Sequence, residues 1–235
     1  MSEWAAKRFW TSATFERTSS GFAIKLDDKP VRTPAKSPLV VPSQALAQSI
    51  TAEWQSQGEV IDPMSMPFTR SANAAIDKVA PQLEDVRALI LSYGETDLLC
   101  YRADGPDSLI QRQAETWDPL LVWAHERYGV ELQKTAGVMP VLQPQASLDQ
   151  LRAEIETLTV FQLTGFYDLV SLSGSLIIGF AAIERVQTID QLWQASRIDE
   201  AWQQEQWGRD EEAVAMSEKK GADFFHAQDF QHQSV

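Results

Sequence analysis

The chain has 235 residues, 44% of them apolar, and a formal net charge of −13. That length suits one large domain or two modest ones, and the composition is globular rather than disordered. The acidic balance argues against binding a phosphate backbone, which needs clustered Lys and Arg.

The charge is unevenly spread. Residues 1–42 carry seven Lys/Arg against four acids, a net +3, whereas residues 190–235 carry ten acids against four Lys/Arg, a net −6. Such asymmetry can steer a partner, or serve solubility alone. One cysteine, Cys100, rules out an internal disulfide and any cysteine-based metal cluster, as suits a reducing compartment. Residues 1–10 show no apolar core of signal-peptide length and no transit-type composition. A cytoplasmic protein is expected, or one of the mitochondrial matrix if a presequence has been removed.

The first forty residues predict short strands. Thr14–Thr18 and Phe22–Leu26 flank Ser19-Ser20-Gly21, a small-residue turn, and Phe22, Ile24 and Leu26 alternate with Ala23 and Lys25. Asp27-Asp28 predicts a tight hairpin into Lys29–Thr33, where Pro30 and Pro34 restrict the segment to an edge. Leu39-Val40-Val41 is one more short strand. Ser43 then caps a helix with Leu46, Ile50 and Trp54 at four-residue spacing, closed by Gly58. From Pro67 a second helix carries Arg70, Asn73 and Asp77 on one polar line. That line reads either as an internal network tying two domains or as a ligand or partner contact.

Beyond Pro81 nearly everything reads as helix. Leu83–Tyr93 is one, Asp97–Tyr101 an apolar link, and Ser108–Tyr128 a long amphipathic helix that Pro119 should kink or split near Asp118. Ser147 is expected to cap a helix running to about Thr157. Leu158–Ile183 holds one charge, Asp168, but its apolar stretch Leu169–Ile183 falls short of the roughly 20 residues of a membrane span. Ser173-Gly174-Ser175 makes it a buried helical hairpin, with Gly165 and Gly179 allowing close packing. The residues from Gly221 onward are expected to be loosely ordered. The fold class is therefore α+β: a small N-terminal β-strand/helix domain over residues 1–80, then a larger all-helical domain over 81–235.

The segment Gln191–Gly208 is the most informative. It lacks proline and internal glycine and predicts one helix ending at Gly208. Ala195, Ile198 and Trp202 form one stripe at about 100° per residue. Trp193, Glu200 and Trp207 form another, since a spacing of seven drifts only about 20°. Glu205 lies near the Ile198–Trp202 side. A core helix with two snorkelling carboxylates is one reading, and a recognition surface of aromatic anchors around a charge is the other.

No glycine-rich dinucleotide turn, phosphate loop or nucleophile elbow occurs. His125 lacks the second histidine of a zinc helix, His226 and His232 lie in the polar tail, and Cys100 has no nearby histidine. No cofactor, metal site or catalytic group is expected.

Several segments together resemble one family: Lys29-Pro30-Val31-Arg32-Thr33-Pro34, Ala52–Gly58, and Asp62-Pro63 with Met66-Pro67-Phe68-Thr69-Arg70, Asn73, Ile76 and Asp77. Asp97–Arg102, Trp117-Asp118-Pro119 and Glu205-Gln206-Trp207-Gly208 complete the set. Their order is similar to that of the assembly chaperones that handle the alpha subunit of the F-type ATP synthase head. The acidic run Asp210-Glu211-Glu212 and the tail after it depart from the mitochondrial pattern. The resemblance implies a non-enzymatic role, holding free alpha subunit by the surface that will face the beta subunit. It also implies important acids in the late helix, for which Glu200 and Glu205 are the matching candidates, with Trp202 and Trp207 beside them. The rival readings are an enzyme with a small-ligand site at Arg70, Asn73 and Asp77, and a general holdase.

Overall fold

The structure, a computed structural model, describes residues 7–137 and 139–235; the N-terminal reading over residues 1–6 lies outside them. The chain divides into two compact units. One runs to Leu83 and takes in Val160–Gly165 and Asp229–Val235, and the other holds Glu84–Thr159 and Phe166–Gln228. Two later segments thus belong with the strand-bearing part.

In the first unit, β1 (Ala13–Thr18) and β2 (Gly21–Leu26) pair antiparallel, with Phe15 opposite Ile24. β3 (Lys29–Pro30) and β4 (Val40–Val41) both pair with β2. Gly21 stands at φ 135°, and a Cβ there would lie 2.4 Å from the Val41 carbonyl oxygen, so only glycine fits the crossing. Ile24 and Leu26 face the core, as the alternation predicts. The helix α1 (Gln44–Gln55) starts as expected, with the Ser43 hydroxyl accepting from the Leu46 N–H, but it closes at Ser56, before Gly58. Leu46, Ile50, Ile24, Val41 and Phe230 share one apolar core, against which Trp54 and Phe161 pack.

The Glu53 carboxylate accepts from the Phe68 and Thr69 N–H groups at 2.6 and 2.8 Å, which fixes the start of α2 (Pro67–Ala74). Burial raises the Glu53 pKa despite those bonds. A π turn over Ala75–Val79 and a 3-10 turn over Ala80–Gln82 follow.

The second unit opens with α3 (Leu83–Glu95); a 3-10 turn over Leu98–Cys100 then leads to β5 (Tyr101–Arg102). The helix α4 (Asp107–Tyr128) ends at left-handed Gly129, φ 69°. Of the two expected outcomes at Pro119, a kink or a split, the split does not occur: the helix runs unbroken through it. An interior proline costs about 3 kcal/mol, but Trp117 and Leu120 beside it are fully buried, and each such side chain returns roughly 1.5–3 kcal/mol. β6 (Thr135–Ala136) pairs parallel with β5, a short ladder within the helical part. The helix α5 (Gln145–Glu156) begins two residues before Ser147, which is therefore not its cap. The Ser147 hydroxyl instead bonds the Glu131 backbone N–H and carbonyl.

The predicted hairpin is present as α6 (Val160–Ser173) and α7 (Leu176–Ile183), turning at Gly174, φ 75°. A Cβ on Gly179 would meet Val170 Cγ2 at 2.6 Å and Phe166 at 3.1 Å, so the close packing assigned to Gly179 holds. Asp97, fully buried, organises the turn: it accepts from the Leu99 N–H (3.0 Å), the Ser175 hydroxyl (2.7 Å) and the Ile177 N–H (3.1 Å). Cys100 is buried beside it, and burial pushes its thiol up to about 12. No helix among the described residues is long and apolar enough to cross a membrane.

Three elements complete the unit: α8 (Ile189–Ala195), α9 (Ile198–Trp207) and α10 (Glu211–Gln233). The tail is not loosely ordered. Phe224, Ala227 and Phe230, at three-residue steps on α10, are buried, which holds the helix to Gln233. Phe230 closes the first unit's core, stacking on Phe161 at 6.4 Å, and the Gln233 carboxamide receives the Ser49 hydroxyl at 2.7 Å.

Two outcomes follow from these contacts. Asp97→Asn presents an N–H₂ where the carboxylate accepts, and should cost about 1–3 kcal/mol of unfolding free energy in urea titration at pH 7. Burial raises the Asp97 pKa in the fold to about 6, above its usual 3.8, so its protonated form adds stability that is complete below pH 3.8 and lost as the pH rises through about 6. The variant should lack that part of the pH dependence. Gly179→Val should destabilise by about 1–3 kcal/mol through overpacking, checked by the thermal midpoint.

Candidate functional site

The late segment is two helices, not one. The Ala195 carbonyl accepts the Trp117 indole N–H at 2.7 Å inside the core, and the helix breaks there, at Ser196–Arg197. The break corrects one of the two predicted stripes, while Ala195, Ile198 and Trp202 of the other are buried or half-buried. Trp193 belongs to α8, where it lies 5.4 Å from the Phe224 ring, with the Arg197 guanidinium 4.9 Å over its face. A Cβ on Gly221 would come within 2.9 Å of its indole nitrogen. Trp193 is therefore structural, and the line Trp193–Glu200–Trp207 does not exist.

Only Ile198 is buried on α9. The helix accordingly presents most of its surface, unlike a core helix. Trp202 is half-buried, whereas Trp207 is 77% exposed, and the two rings meet edge to face at 5.9 Å. Gly208, φ 93°, ends the helix as predicted. Asp210 then caps α10 by accepting from the Glu212 and Ala213 N–H groups. From Glu211 to Lys220, α10 is exposed except at Val214 and Ser217, and Met216 is 53% exposed.

Both candidate carboxylates are exposed and paired. Glu205 forms a two-pronged pair with Arg112 of α4, both distances 2.8 Å, and the Arg112 hydrogen bonds hold its carboxyl below the usual range. Glu200 pairs with Arg197 at 3.0 Å, one turn back. Next to Glu200 in the chain, Asp199 accepts from the buried Gln113 carboxamide at 2.7 Å. Arg112 was not legible as the partner of Glu205: the two lie 93 positions apart, and nothing local links them.

Hollows flank α9. One of 740 Å³ is lined by residues of α4, α8 and α9 and by Ser217, and one of 430 Å³ by residues including Glu200, Trp207, Met216 and Lys220. A third of 420 Å³ is lined by residues including Arg102, Asp199, Trp202 and Trp207. Arg102 there pairs with Asp118 at 2.7 Å and lies over the Trp117 ring. Desolvation of Asp118 is outweighed by its bonds to Lys134 and Arg102, which hold its carboxyl low.

The polar line at Arg70, Asn73 and Asp77 does not converge. Asp77 accepts from the Thr33 hydroxyl (2.7 Å) and the Ala35 N–H (3.0 Å), tying the π turn to the Lys29–Pro34 segment within its own unit. Arg70 reaches the Met64 sulfur at 3.2 Å, and the Asn73 carboxamide oxygen is buried without a hydrogen-bond partner among the described residues. Among the described residues no group of three or more His, Cys, Asp or Glu is placed to hold a metal ion.

Removing Arg112 should free Glu205 without unfolding the helix. In Arg112→Ala, NMR titration should show the Glu205 carboxyl returning toward its ordinary range, with the helical circular dichroism unchanged.

A family described as ATP12 chaperone protein matches residues 7–125. Atp12 of Paracoccus denitrificans, a solved structure, is 48% identical over 99% of this chain and 100% of its own, with a TM-score of 0.96. A solved protein of Agrobacterium tumefaciens is 38% identical over 97% of this chain and 85% of its own, with a TM-score of 0.92. The mitochondrial protein atp12 of Schizosaccharomyces pombe is 24% identical over 219 residues, 88% of this chain and 75% of its own.

Proposed function

The chain belongs to the ATP12 chaperone family, whose members serve assembly of the F1 ATP synthase, and from that premise we propose that its client is the free alpha subunit. The chaperone covers the client surface that will face the beta subunit, and so prevents aggregation and mispairing before the head assembles. It acts without catalysis, in the cytoplasm of a bacterium or in the mitochondrial matrix.

The observation that carries this reading is the exposed stretch from α9 into α10. It sets Trp207, 77% exposed, and Met216, 53% exposed, among Glu200, Glu205, Asp210, Glu211 and Glu212. An indole left in water beside acids is the composition of a recognition surface, since aromatic anchors supply binding energy and charge supplies selectivity. Trp207 and Trp202 anchor the client, and Glu200 and Glu205 meet its cations. Both carboxylates already hold an arginine in exposed pairs, which a client arginine can replace at little net cost. Release needs no hydrolysis, only a partner that binds the same client surface better.

Two substitutions test this with purified alpha subunit. Glu200→Lys should weaken binding at least tenfold, or about 1.4 kcal/mol, with an unchanged thermal midpoint; binding at full strength would overturn the assignment. Trp207→Ala should also lower affinity while leaving stability nearly intact, because the ring is mostly in solvent. Equal suppression of aggregation in unrelated proteins would instead indicate a general holdase.

A further inference from the structure

Among the described residues Arg87, Arg102, Arg112, Arg127 and Arg197 each pair with an acid, and Arg112 is unlike the other four. The Arg87 and Arg102 guanidiniums also donate to the backbone carbonyls of Glu156 and Leu99. Those of Arg127 and Arg197 lie over the Tyr128 and Trp193 rings. Each of the four is therefore fixed by a second contact. Arg112 makes no second hydrogen bond, ion pair or ring contact among the described residues: both its terminal nitrogens lie 2.8 Å from the one Glu205 carboxylate, from α4 to α9. Both side chains stand partly in water, 41% and 52% exposed, so the pair can part into solvent. Its guanidinium has Glu205 as its one task.

We infer that Arg112 is an internal stand-in for a client arginine, and that it sets which cation Glu205 accepts and how tightly. This rests on the proposed reading of Glu205 as a client contact and adds the residue that regulates it. While Arg112 is in place, the carboxylate is occupied and both its oxygens are spoken for. An approaching ammonium offers a point charge in exchange for two parallel N–H···O bonds, whereas a guanidinium restores both. A client arginine therefore displaces Arg112 on equal terms, and a lysine does not. The displaced Arg112 has no other partner to hold it away, so it reclaims Glu205 as the client leaves and speeds release. On the usual strength of exposed pairs, Glu205 is free for roughly a sixth to two-fifths of the time, and the apparent client affinity through it falls by that fraction.

The test is a double-mutant cycle on the full chain with purified intact alpha subunit, read by titration calorimetry and dissociation rate. Glu205→Gln should weaken binding. Arg112→Met keeps an aliphatic stem but no donor, and should strengthen binding about two- to sixfold and slow dissociation. In the Glu205→Gln background the same substitution should leave the affinity unchanged. An equal gain in both backgrounds would assign the effect to net charge and overturn the inference. Weaker binding by Arg112→Met would make the pair a strap that holds α9 in place, and would overturn it too, as would no change. If Arg112→Met lowers the thermal midpoint, Arg112→Lys takes its place in the cycle: it keeps the charge, makes one contact where the fork makes two, and should give a gain of the same sign. No effect of Glu205→Gln would overturn the reading of Glu205 together with the inference, and no binding by the unaltered chain would overturn the client assignment itself.

Discussion

The hydrogen bond from the Trp117 indole to the Ala195 carbonyl governs how the candidate site is presented. Trp117 is fully buried, and its N–H would be costly to leave unpaired. By reaching Ala195 at 2.7 Å it marks the place where one helix becomes two. After the break the burial pattern changes, with Ile198 the one buried residue of α9. Trp193 stays in the packing against Phe224 and Gly221, while Glu200, Glu205 and Trp207 come out on an exposed helix. Had Gln191–Trp207 continued as one rod, Trp193 and Trp207 would share a face, and either the core would lose an indole or the surface would lose one.

The two kinds of carboxylate in the helical unit show how burial separates a fixed structural acid from an exchangeable surface one. Asp97 lies inside, accepts three hydrogen bonds at the α6–α7 turn, and has its pKa raised by desolvation. It is a fixed strut. Glu205 lies outside, and its carboxyl is held low by a neighbouring arginine in water. An exposed pair can be exchanged for another of the same chemistry with small change in free energy, because water screens both states alike. Reversible holding needs that property, and a buried pair would not supply it.

What was legible in the sequence was whatever short-range chemistry decides. The β1–β2 hairpin, the Ser43 cap, the Gly208 helix end and the turn at Gly174 each depend on a few adjacent residues, and all appear as predicted. Distant partners decided the rest. Pro119 stays within an unbroken α4 because Trp117 and Leu120 are buried on either side of it. The tail becomes helix because Phe224 and Phe230 find separate cores, and a polar, lysine-containing sequence conceals that spacing. Ser147 looks like a cap and instead ties α5 to Glu131. At the candidate site the carboxylates and Trp207 could be singled out beforehand, whereas Arg112 could not.

The chemistry around α9 also bears on how selective such a chaperone can be. A general holdase relies on wide apolar surface, because only non-directional contacts suit every unfolded chain. Here the large exposed apolar side chains of the α9–α10 stretch are Trp207 and Met216, and charged groups and carboxamides surround them. Directional groups penalise a poor match, because each buried donor or acceptor left without a partner costs more than a good bond gains. On the proposed reading, a client has to place cations near Glu200 and Glu205 and an aromatic-compatible surface at Trp207 together. Selectivity of that kind comes from the rejected alternatives as much as from the accepted partner, and it allows modest affinity to remain specific while release stays easy.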